Sequence, residues 1–194
     1  NTQKEGTKAK NTQECPPVIS AYNNFTPETP TPTTATYNKV IELISSKTKG
    51  KPLSLAYSVF VKMYLNSNTG KQLETQSHNY SLTDLGGPNN NWGQSIITFF
   101  TKKQYYCGGS EINTKPYVIF DSLEQNIDFL ISRFDKTSAT IQNLNKEEIA
   151  KFIILYSDAK KSDENVYTSM NPTVLTNIES KVDEAIKLYN STTG

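Results

Sequence analysis

Apolar residues occur along this chain in two densities. Before Tyr37 they are scattered, and after it they gather into blocks with helical spacing. Val40, Ile41, Leu43 and Ile44 make the first block, and Gly50 followed by Pro52 predicts its end. The stretch Leu53 to Leu65 is apolar nearly all round. Its Val59, Phe60 and Val61 would suit a strand, but its length favours a buried helix with Pro52 at the first turn. Asp121 or Ser122 predicts the cap of a further helix, with Leu123, Ile127, Leu130 and Ile131 on one face. Asn145 predicts another, with Ile149, Phe152, Ile153 and Tyr156 inward and Glu147 and Glu148 suiting the helix dipole in the first turn. Pro172 opens the last, Val174 to Tyr189, striped by Ile178, Val182, Ile186 and Tyr189.

The blocks do not cover everything. Residues 66–91 are polar and turn-rich, ending in Gly86-Gly87-Pro88-Asn89-Asn90-Asn91. Trp92 to Phe100 reads as a short strand or a helix start, and residues 101–119 as irregular or hairpin structure around Gly108-Gly109. A long polar insertion inside a compact domain is functional or disordered more often than not. The expected fold class is therefore mainly α, with about five helices and a loop-rich or small β insertion.

Residues 1–36 read as an extended tail or linker, leaving 37–194 as the helical domain. The stretch Thr26-Pro-Glu-Thr-Pro-Thr-Pro-Thr-Thr34 favours polyproline-like backbone and excludes helix. Two roles stand open for it: a stalk joining the domain to something else, or a strap lying on a protein neighbour in a larger assembly. The start at Asn1 and the ending Ser191-Thr192-Thr193-Gly194 suggest a piece of a processed or longer protein.

Composition narrows the function. Basic residues number 20 against 19 acidic, a net charge of +1, and Arg133 is the only arginine. Neither nucleic acid nor an acidic lipid surface is favoured as a partner. No apolar run approaches the roughly 18 residues of a membrane span. His78 is the single histidine, so a metal site or a histidine-based triad is not expected, nor is any cofactor. Cys15 and Cys107 are too few for a disulfide scaffold. One bridge pinning the tail to the domain and two free thiols are equally open readings. Asn, Thr, Ser and Tyr are abundant, which suits an uncharged polar ligand such as a glycan, and equally an AT-rich genome.

Three stretches in order resemble the lysozyme-like peptidoglycan glucosaminidases and muramidases. Leu65-Asn66-Ser67-Asn68-Thr69-Gly70-Lys71 is similar to the family's Leu-Glu-Ser-Gly-x-Gly-Lys at the end of a buried helix. Asn89-Asn90-Asn91-Trp92-Gly93 looks like its Asn-Asn-aromatic-Gly motif on the cleft floor, and Val118 to Ile127 like its aromatic-x-Ser-x-Glu-x-Ser-Ile segment. The resemblance covers roughly residues 40–190. It implies an α+β lysozyme-like domain with a glycan cleft, acting on peptidoglycan strands outside the cell or on a virion.

The family's glutamate is the general acid that protonates the leaving oxygen of the glycosidic bond. Asn66 stands in its place, and an amide has no proton to give near neutral pH. It can still donate and accept hydrogen bonds with a sugar. The resemblance thus implies a degenerate domain that binds glycan or serves structure. An active hydrolase would need another acid, with Asp84, Glu74 and Glu111 as candidates. Asp84 leads them because Gly86-Gly87 beside it permit close approach; for each the competing reading is a solvated loop charge. Asn66, Asn91, Trp92 and Tyr117 are the candidate glycan contacts, the aromatics through ring stacking or, alternatively, ordinary packing. A helical structural or adaptor component of a virion, with its tail bound to a neighbour, is the other class of reading.

Overall fold

The computed structural model describes residues 26–28, 32–33, 35–67, 77–78, 104–108, 115–157 and 161–194. The fold is mainly α. In chain order the described elements are β1 (Thr26–Pro27), β2 (Pro32–Thr33), α1 (Tyr37–Lys47), α2 (Leu53–Asn66), β3 (Ser77–His78), β4 (Gln104–Gly108) and β5 (Lys115–Val118). They continue with α3 (Leu123–Phe134), a 3₁₀ turn (Thr137–Thr140), α4 (Lys146–Tyr156), α5 (Glu164–Thr168) and α6 (Pro172–Thr193).

Local chemistry sets most helix ends. Thr36 accepts a hydrogen bond from the Lys39 amide and starts α1. Gly50, at a φ of +78°, turns the chain out of that helix in the left-handed region that side chains resist. Ser122, rather than Asp121, caps α3 through the Gln125 amide, and Asn145 caps α4 through the Glu148 amide at 2.8 Å. Asn171 caps α6, and Pro172 sits in its first turn. That helix runs four residues past the expected Tyr189. The five-residue α5, capped by Asp163, was not anticipated by the spacing of apolar residues, since none of its residues is buried.

Helix α2 is the hub. Every residue from Ser54 to Tyr64 is buried, and the helix packs against α1, α3, α4 and α6. A helix apolar on all sides must lie inside, and this one does. Two buried hydroxyls are satisfied by the helix's own backbone: Ser58 Oγ donates to the Ser54 carbonyl at 2.7 Å, and Oγ of the C-cap Ser67 donates to the Met63 carbonyl. Around it Val40, Ile44, Phe60, Met63, Ile127, Leu130, Ile149 and Val182 form one core. The rings of Tyr57 and Phe60 lie 5.7 and 5.9 Å from that of Tyr189, joining α2 to α6. Lys47 and Asp128, 2.8 Å apart, tie α1 to α3 at the surface.

The described strands make two small sheets. β1 pairs parallel with β4, which pairs antiparallel with β5; β2 pairs antiparallel with β3. The hairpin expected within 101–119 is therefore present. The described parts of the Pro/Thr stretch are extended and paired: Thr26 lies beside Gln104 and Pro32 beside His78. Pro27 and Pro116 sit in the two edge strands of the three-stranded sheet, while central β4 has no proline. A strand without an N–H donor fits only at an edge.

Candidate functional site

Asn66 is the last residue of α2, half-buried where the hub helix emerges from the core. It lines an open depression of about 350 Å³ whose other walls are Leu65, Ile153, Ile154, Ser157, Ile178 and Lys181. Ile153 and Ile154 come from α4, Ser157 follows its end, and Ile178 and Lys181 come from α6. The apolar stripe of each helix turns one edge into this depression, so the floor is isoleucine and leucine. The polar groups are an amide, a hydroxyl and an ammonium. One helical turn before Asn66, on the same face of α2, Lys62 is only 7% exposed.

Two hydrogen bonds hold α6 against α2. The Tyr57 hydroxyl donates to Asn190 Oδ1 at 2.7 Å, and the Tyr64 hydroxyl donates to Glu184 Oε1 at 3.1 Å. Burial and the neighbouring carboxylate push the Tyr64 phenol up to about 12. Burial also raises Tyr189. Neither tyrosine is an acid at neutral pH; both act as fixed packing and hydrogen-bonding groups.

Among the described residues lining this depression there is no carboxylate. The site can offer an uncharged ligand hydrogen bonds from Asn66, Ser157 and Lys181 over an apolar floor, a combination that suits the polar rim and C–H face of a pyranose ring. No described residue lining it is a carboxylic acid of the kind that protonates a leaving alkoxide in the similar hydrolases.

A second depression, of about 190 Å³, lies on the opposite side of α4. Phe152 and Tyr156 stack there with centroids 4.8 Å apart, and Lys161 pairs with Glu164 at 3.0 Å. The hydrogen bond to Glu164 raises the lysine, and the same bond lowers the carboxylate. Its groups neutralise one another, so it has no clear preference for ligand charge.

The sequence-derived residues divide as follows. Asn66 is in the first depression. Tyr117 lies on β5 opposite Tyr106 of β4. Glu74, Asp84, Asn91, Trp92 and Glu111 lie outside the described residues, so the candidate acids are not placed against Asn66. Ser157 and Lys181 were missed, and no local signal could have found them: each belongs to a helix far along the chain and reaches the site only through packing. Lys62 carried a signal, a lysine inside an apolar run four residues before Asn66. No group of acidic, cysteine and histidine residues able to hold a metal ion occurs among the described residues, and no described helix is long and apolar enough to cross a membrane. No family model matches the chain, and comparison with curated proteins and with solved structures likewise found no match.

Proposed function

We propose that this chain is a peptidoglycan-directed, lysozyme-like domain of a secreted or virion-associated protein, retained for binding glycan strands without cleaving them. The observation that carries this reading is Asn66. It ends a buried helix in the wall of an open depression, where the similar hydrolases keep their acid, and no described carboxylate lines that depression. An isoleucine floor and a polar rim of Asn66, Ser157 and Lys181 support a sugar as ligand.

The test is co-sedimentation with purified peptidoglycan, followed by analysis of released muropeptides. The expected result is sedimentation without release, weakened about tenfold by Asn66→Ala, the loss of one or two hydrogen bonds to a neutral ligand. An Asn66→Glu variant that alone releases muropeptides supports an inherited, disabled site. Release by the unaltered protein would instead mark an active glycosidase, with Asp84, Glu74 and Glu111 as the acids to substitute. Failure to sediment sinks the glycan reading.

A further inference from the structure

The depression at the end of α2 holds one charge that a neutral sugar leaves unanswered. Lys181 of α6 stands in its wall with Asn66 and Ser157, above the isoleucine floor. Among the described residues no carboxylate pairs with it, and the acidic groups nearest along its helix are engaged elsewhere. Glu184, three residues on, accepts the Tyr64 hydroxyl at 3.1 Å. Asp183 pairs with Lys187 at 2.9 Å. Glu179, two residues back, does not share the face of the helix that carries Lys181. Glu148 and Glu164 line the second depression, across α4. The ammonium thus brings three donors and a positive charge to a wall whose described residues include no acid.

We propose that Lys181 makes the depression select an acidic sugar, a unit carrying one free carboxylate such as a uronic acid, over its neutral counterpart. This selectivity rests on the glycan reading of the site and adds the class of sugar that the site prefers. The isoleucine floor takes the C–H face of the ring, Asn66 and Ser157 meet its neutral polar groups, and the carboxylate accepts from Lys181 Nζ. A hydrogen bond between two charged groups is roughly twice as strong as one between neutral groups. At about 350 Å³ the depression is at the small end of ligand sites, room for one sugar unit, so the carboxylate must belong to the unit that is bound. Lysine is a point charge without the planar fork of arginine, so it asks for a negative charge rather than for one shape of anion. Lys181 is exposed, which makes its attraction modest and sensitive to salt.

The experiment is an NMR chemical-shift titration of the full chain with methyl glucuronoside, its carboxamide, N-acetylglucosamine and acetate. The glucuronoside and its carboxamide differ in charge alone. At low ionic strength the acid should bind about fivefold more tightly than the carboxamide, the size of one exposed ion pair. Both should move the signals of Asn66, Ser157 and Ile178. Salt at roughly 0.5 M should erase the difference. Lys181→Gln should bring the acid down to the affinity of the carboxamide and leave the carboxamide unchanged, while Lys181→Arg keeps the preference. Equal affinity for acid and carboxamide in the unaltered protein, or a preference that survives Lys181→Gln, overturns the proposal. Acetate binding as tightly as the glucuronoside also overturns it, because the ring would then contribute nothing. In these cases the binding of N-acetylglucosamine and the carboxamide leaves the glycan reading standing. If no sugar moves the signals of the depression, the glycan reading itself falls, and the selectivity with it.

Discussion

Helix α2 and the strap formed by β1 and β2 are held to the molecule by opposite means. α2 is buried on every side and fixed by its side chains, from Phe60 and Met63 in the core to Tyr57 and Tyr64 reaching Asn190 and Glu184. The described contacts of the strap are backbone pairings, two residues at a time, each pair holding one proline. Side-chain burial is specific to volume and shape, and backbone pairing is nearly indifferent to residue type. The two regions should therefore answer differently to substitution, and the difference can be measured.

The largest effect is expected in the hub. Phe60→Ala should destabilise the domain by about 3–5 kcal/mol, from lost burial and the cavity left behind. Urea unfolding followed by circular dichroism measures it, and a loss below 1 kcal/mol would mean that α2 is not the centre of the core. A smaller effect is expected in the strap. Deleting residues 1–33 should cost about 1–2 kcal/mol, a few net backbone hydrogen bonds, and leave the helical spectrum unchanged. If the deletion costs as much as Phe60→Ala, the strap is part of the core and the contrast between the regions fails.

The smallest effect concerns the seam between α2 and α6. Tyr64 is raised in the folded state above the ordinary value near 10 that it has when unfolded. Its contribution is fully present below pH 10 and is lost as pH climbs from 10 toward about 12. Tyr189, raised by burial, acts in the same direction. Glu184→Gln should lower the Tyr64 pKa, shallow the alkaline fall in stability, and cost about 0.5–1.5 kcal/mol near neutrality. Spectroscopic titration of tyrosinate beside unfolding curves at several pH values checks this. An unchanged titration would show that Glu184 does not hold the phenol.

The same contrast explains what could be read in advance. The helices follow from short-range signals: the caps at Ser122, Asn145 and Asn171, Pro172 in a first turn, and apolar stripes repeating every three or four residues. Asn66 was legible because it ends such a block. Ser157 and Lys181 were not, because a depression walled by three helices depends on which helix faces meet. The tail was read as extended chain, and its described pieces Thr26–Pro27 and Pro32–Thr33 are strands. Its neighbours β3 and β4 lie some 45 and 80 residues away, and pairing through backbone atoms leaves no mark on residue type.

The sequence by itself determined the five longer helices, where most of them start, and the apolar character that sends α2 inside. These rest on interactions within one or two turns, encoded by neighbouring residues. Only the tertiary structure decided that Asn66 shares a wall with Ser157 and Lys181, that Tyr64 meets Glu184, and that Thr26–Pro27 lies against β4. Each joins residues distant in sequence, and such contacts are chosen by the packing of the whole chain rather than by any segment of it.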